Sequence, residues 1–178
     1  MTDKRIMSLA NDFRKRIDQA QKKDYFLNSV FEEFPIQCCG NASRLLAEFL
    51  QANGIETLWV SGEEFDTHET HAWLVVKDTR INSPRLCFDG VPNKIMDLLR
   101  SYGDNSIKRY SDAICYDKHD IENGLIIDIT GDQFGEAPVY VGYMDRFHKR
   151  FDFVSAYEHK GLIDEELVEL FKIIMTQR

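Results

Sequence analysis

No apolar run in this sequence approaches the roughly 20 residues that a membrane-spanning helix needs. The start, MTDKRIMSLANDFRKRIDQAQKKD, has neither an apolar h-region nor a small-residue cleavage site. These absences predict a cytoplasmic protein with no membrane partner, or one exported by a route that uses no such signal. Positive charge is also in short supply. Lys and Arg number 22 against 30 Asp and Glu, for a formal charge of −8. That balance repels phosphate backbones and predicts no nucleic-acid partner. Cysteine is scarce too. The four residues Cys38, Cys39, Cys87 and Cys115 form no C-x-x-C pair. They fit free thiols in a reducing compartment, and a disulfide between the neighbours Cys38 and Cys39 would be strained. Internal repeats and low-complexity segments are absent.

What is present suits one domain over residues 1–178. At 43 % hydrophobic and 12 % aromatic residues the chain can bury an ordinary core. Ile6, Leu9, Phe13, Ile17 and Ala20 recur at helical spacing among charges, which predicts an amphipathic helix over 3–23. A second helix is expected from Asn41, with Leu45, Leu46, Phe49 and Leu50 on one face and Gly54 just past its end. Strands are expected at 55–60, at 71–76 (HAWLVV), at 124–130 (GLIIDIT) and at 138–143 (PVYVGY). A closing helix should run from Ile163 to Met175. Residues 77–123 read as an insertion, with a helix after Pro92. It joins the strand of His71 to that of Asp128, so it should form a flap beside any site there.

The residues that can carry chemistry start at the two adjacent cysteines ahead of the second helix. A thiol attacks as thiolate, and a helix N-terminus together with a histidine can supply the charge that stabilises one. Of five histidines, His71 opens the apolar strand HAWLVV, whose alternation puts His71, Trp73 and Val75 on one face. Asp128 lies within GLIIDIT, where a carboxylate among Leu and Ile needs a partner. An imidazole N–H would be one, and the bond would fix the ring's tautomer. The order is Cys, His, Asp.

Three stretches carry a family resemblance. Cys39-Gly40-Asn41-Ala42-Ser43 opens a helix that leads to GIETLWVSG. His71–Val76 reads HAWLVV, and Ile127–Thr130 reads IDIT. These resemble, in order, the C-x-D-x-A, G-I-P-A-R-x-V-x-G, H-A-W-V-E-V and L-D-P-T patterns of the transglutaminase-like cysteine hydrolases, a branch of the papain-like superfamily. The CCG and IIDIT-GDQF stretches resemble a bacterial branch of it. The resemblance implies an α+β papain-like core in which a helix bearing cysteine packs on an antiparallel sheet bearing histidine and aspartate. It implies a catalytic triad of Cys39, His71 and Asp128, no cofactor and no metal, and cysteine-dependent acyl chemistry on an amide of a peptide or protein. Its register favours Cys39 over Cys38. Gln37 and Gln133 are candidate oxyanion donors beside the backbone N–H of Cys39. Asn41 stands where the family often has Asp, and Ile129 where it has Pro. The long segment before Asp128 is also a departure.

Three rivals stand beside this. Cys38, Cys39, His68 and His71 could hold zinc, although H-x-x-H on a strand points its rings to opposite faces. His148, in DRFHKRF, could be the base instead of His71, although its charged neighbours suggest a solvated helix or loop. The chain could also be a non-catalytic binding module, of immunity or adaptor type, with a basic protein partner.

Overall fold

Amphipathic spacing produces the first helix, α1 (Asp3–Gln21), which buries Ile6, Ala10, Phe13, Ile17 and Ala20. The structure is a computed structural model that describes residues 3–77, 85–86, 114–115 and 118–177. After α1 a series of turns leads to α2 (Cys39–Ala52), which starts two residues earlier than its apolar spacing predicts. Gly54 follows it with φ +75°, a backbone conformation that costs glycine little. The strands β1 (Thr57–Glu64) and β2 (Thr70–Val76) form a hairpin. A two-stranded ladder pairs β3 (Arg85–Leu86) with β4 (Ile114–Cys115). The short helix α3 (Lys118–Glu122) precedes β5 (Ile126–Asp128) and β6 (Tyr140–Gly142). Then come β7 (Phe151–Glu158) and the closing helix α4 (Glu165–Thr176). The proposed flap and its helix after Pro92 fall largely outside the described residues.

The main sheet has the order β6-β5-β2-β1-β7, with every neighbouring pair antiparallel. The architecture is α+β. Its central strand, β2, is buried along both faces from His71 to Val76. Leu74, Val76 and Ile127 join α1, α2 and α4 in one core. Trp73, Val75, Leu58, Val60 and Ile126 point the other way, into a second core closed by Ile121, Phe147 and Phe151. The strict alternation of an apolar strand therefore serves two cores at once. Each aliphatic side chain buried there contributes roughly 2 kcal/mol through the water it leaves.

The strand β7 lies in a segment for which the sequence predicted no strand. It pairs with β1 across a bulge between Ser61 and Gly62. A Cβ at Gly62 would sit 2.8 Å from Phe151 Cβ and 2.9 Å from Asp152 O, so the two strands approach this closely because position 62 has no side chain. Gly62 pairs with His71 across β1 and β2. The same absence thus lets Phe151 lie beside the His71 ring, at 5.3 Å between centroids. Among the described residues, no helix is long and apolar enough to cross a membrane.

Candidate functional site

The placement of Cys39 begins with the turns at 22–37. Phe26, Phe31 and Phe34 are buried there, with Phe31 and Phe34 stacked at 5.4 Å. This anchors Cys38, which is 2 % exposed and donates its S–H to Val30 O at 3.2 Å and Ile36 O at 3.1 Å. Burial first, then the nearby Cys39 and Glu33, push the Cys38 thiol up to about 11. Its neighbour differs. Cys39 is the first residue of α2 and is half-buried. The first turn of α2 has no acidic residue, and no side chain caps it. Its partial positive charge is therefore left uncompensated beside the sulfur.

The strand β5 is short, so its ladder with β2 ends before Ala72. The β2–β5 ladder joins Leu74 to Ile127 and Val75 to Ile126. Val76 N–H donates to Leu125 O, so alternate main-chain groups of β2 point toward β5. By that alternation Ala72 also points toward β5, past the end of the ladder. Its carbonyl accepts from Ser43 Oγ at 3.1 Å, and its main chain interacts with the Cys39 sulfur. Cys39 and Ser43 are four residues apart, so they lie on one face of α2. One turn of helix thus supplies the partners that β5 does not, and fixes the sulfur at the edge of β2.

His71 and Asp128 meet on the opposite face of the sheet from α1, α2 and α4. Both are 1 % exposed. His71 Nε2 lies 2.9 Å from Asp128 Oδ2, and Asp128 Oδ1 accepts from Thr130 N–H at 2.9 Å and Thr130 Oγ1 at 3.1 Å. Phe134 and Phe147 wall the imidazole, with centroids at 5.0 and 5.4 Å. Burial works against a charged ring, but Asp128 and then Cys39 outweigh it and push His71 up to about 9. For Asp128 burial again opposes charge. His148 and His71 overcome it and hold the carboxyl well below the usual carboxylate range. Burial also raises Cys39, but His71 and the Ala72 and Gly40 main chain bring its thiol below the ordinary value. The Cys39 thiol and the His71 ring interact closely enough to shift each other's pKa, although Nδ1 makes no geometrically complete hydrogen bond among the described residues. With Nε2 taken by Asp128, Nδ1 is the nitrogen left for the thiol.

No family model matches this chain, and no curated protein or solved structure matches it. The chemistry of the site therefore rests on its own geometry.

That geometry adds a residue whose sequence neighbours suggested solvent. His148 is 1 % exposed, in a 3-10 turn between β6 and β7. Its Nε2 stands 3.4 Å from Asp128 Oδ2, and its Nδ1 bonds Asp145 Oδ1 at 2.7 Å. The charged run D-R-F-H-K-R hid this, because Phe147 and His148 turn inward while Lys149 and Arg150 stay out. One signal in the sequence could have found it: an aspartate three residues before a histidine, between two aromatic positions. A second missed residue is Arg14 on α1. Its guanidinium bonds Asp132 at 2.7 Å and Ile129 O at 2.6 Å, and so braces the turn that follows Asp128.

The oxyanion candidates lie near each other. Gln37 is exposed at φ 56°, and its N–H donates to Gln133 Oε1 at 3.2 Å. Gln133 Nε2 donates to Thr130 O at 3.1 Å. Gln133 thus links the approach to Cys39 with the turn after Asp128. The zinc set weighed from sequence does not assemble around His68, whose side chain is 79 % exposed and pairs with Glu63. The described residues gather His71, Asp128 and His148 instead, with one ligand atom from each within 4.8 Å of the others.

Proposed function

We propose that this protein is a cysteine-dependent acyl-transfer enzyme with a papain-like, transglutaminase-like core. Cys39 is the nucleophile, His71 the acid and base, and Asp128 the residue that orients the ring. The thiolate attacks an amide carbonyl, and the oxyanion that forms is held by first-turn N–H groups of α2 and by Gln37 or Gln133. His71 gives the leaving nitrogen its proton as the C–N bond breaks, and a thioester on Cys39 remains. Water then completes hydrolysis, or an amine completes transfer. The supporting observation is the contrast between the two adjacent thiols. Cys38 is buried with its proton held, while Cys39 lies at a helix start with its pKa drawn down by a histidine whose far nitrogen is bonded to a buried aspartate.

Limited iodoacetamide at neutral pH, followed by peptide mapping, tests this. Fast labelling is expected at Cys39, lost in Cys39→Ala and kept in Cys38→Ala. Slow labelling of both cysteines in the wild type would instead favour a non-catalytic binding module. A metal centre is the second reading. His148 Nε2 has no hydrogen-bond partner among the described residues while its Nδ1 is held by a carboxylate, an arrangement common in metal-ligating histidines. A divalent ion that binds there would raise the melting temperature in a His148-dependent way.

A further inference from the structure

We infer that a groove beside Cys39 is a substrate-recognition subsite, and that it takes an acidic side chain of a peptide about two or three residues from the amide under attack. The inference deepens the acyl-transfer reading above and rests on it. The groove has a volume of about 690 Å³ and lies between α2, the strands β1 and β7, and the chain that leads from β7 into α4. Its floor is aromatic. Trp59 and Tyr157 pair across β1 and β7, with ring centroids 5.8 Å apart. The Arg44 guanidinium lies over the Trp59 ring at 5.4 Å. The indole also reaches the start of α2. Its Nε1 donates to Gly40 O at 3.2 Å, and Gly40 follows Cys39 directly. A Cβ at Gly40 would lie 3.8 Å from Trp59 Cζ2, so the indole edge packs on the residue next to the nucleophile. Arg44 stands four residues past Gly40, one turn along the same face and about 6 Å on. An extended peptide covers that span in about two residues.

Charge selects the occupant. The carboxylates on the groove are already engaged. Glu158 accepts from Lys77 Nζ at 2.6 Å, and Asp164 Oδ1 accepts from the N–H groups of Glu166 and Leu167. His159 is held by Glu48 at 2.8 Å. The two cations differ. Arg44 and Lys160 both line the groove, both are exposed, and neither forms an ion pair among the described residues. In a chain of formal charge −8 these cations lack an acidic partner, and a substrate carboxylate supplies one. Tyr157, 39 % exposed, and Ile163, 90 % exposed, offer an apolar wall to the next side chain of the same peptide.

The test uses the peptides Leu-Glu-Gly and Leu-Lys-Gly, each made with an iodoacetamide group at the N-terminal or the C-terminal end. Labelling of Cys39 is followed by mass. Each rate is divided by that of iodoacetamide on the same protein, so changes in the sulfur itself cancel. In the better orientation the Glu peptide should exceed the Lys peptide by about tenfold, and added salt should shrink that ratio. Arg44→Gln combined with Lys160→Gln should bring the ratio to about one, and Arg44→Glu should favour the Lys peptide. Both positions are exposed, so these variants are expected to fold. A ratio near one in the wild type, or one that the double substitution leaves intact, overturns this inference while fast iodoacetamide labelling keeps the triad reading. Dimerisation that Arg44→Gln abolishes would assign the groove to a second copy of the chain and overturn it likewise. A wild type with no fast iodoacetamide labelling at Cys39 overturns the inference together with the triad reading.

Discussion

Replacing Asp128 by Asn changes one atom's hydrogen-bonding sense in a fully buried site. Thr130 offers two donors to Oδ1, so the amide oxygen of Asn is expected there, with the amide nitrogen toward His71. That nitrogen is a donor and meets a ring nitrogen that carries a proton in the working tautomer. The conflict is relieved if the ring moves its proton to Nδ1, the atom that must accept from Cys39. Loss of the carboxylate also removes the larger part of what lifts His71 from its ordinary 6.5 to about 9, with Cys39 supplying the rest. The whole lift is roughly 3 kcal/mol of preference for the charged ring, and the Asp128 share lies below that. Cys39 is left with a weaker counter-charge. Alkylation at neutral pH should therefore fall roughly 10²-fold or more, and turnover on a confirmed substrate further. The change in stability should be smaller, because the amide keeps the Thr130 bonds. Rate constants for iodoacetamide labelling, read beside urea denaturation, separate the two effects. A variant that labels as fast as the wild type would show that Asp128 does not orient the ring.

Between about pH 7 and 9 the melting temperature should stay nearly flat, and the alkylation rate should not fall, because loss of the His71 proton leaves the Cys39 thiolate in place. The His71 contribution to stability is present below 6.5 and lost as pH rises through about 9; that of Cys39, whose pKa is lowered, grows as pH rises toward its unfolded value, so the two oppose each other. Thermal scans across that range, beside labelling rates, check this, and a steep decline in melting temperature would mean that the two groups do not exchange a proton. Asp128, with its lowered pKa, contributes stability above its ordinary 3.8 and loses it as pH falls further. Gly62→Ala should cost about 1–3 kcal/mol, since the new methyl meets Phe151 and the Asp152 carbonyl; an unchanged denaturation midpoint would place β7 farther from β1. Treatment with a chelator should leave turnover and melting temperature unchanged, whereas loss of fold would favour the metal reading of His71, Asp128 and His148.

Periodicity could show α1, α2, α4 and the hairpin partners of β2, because in each the apolar spacing matches one buried face or an alternating pair of faces. It also pointed to Asp128, since a carboxylate inside an Ile-rich strand demands a partner. It could not show β7. Phe151 and Ala156 serve the second core while Asp152 and Tyr157 are exposed, but the run is prefaced by charges that read as surface. Nor could it show Arg14, whose helix position predicts solvent but whose guanidinium is drawn inward by Asp132 and two carbonyls from the chain after Asp128. Both misses have one cause. A polar residue is buried when partners arrive from distant sequence, and local pattern carries no information about those arrivals. The same reasoning bears on the two cysteines. Nothing local separates Cys38 from Cys39. They are separated by where Val30, Ile36 and Glu33 lie on one side and Ala72 and His71 on the other. In the proposed reading, the reactive sulfur is the one that α2 places beside the Ala72 main chain, past the end of the β2–β5 ladder.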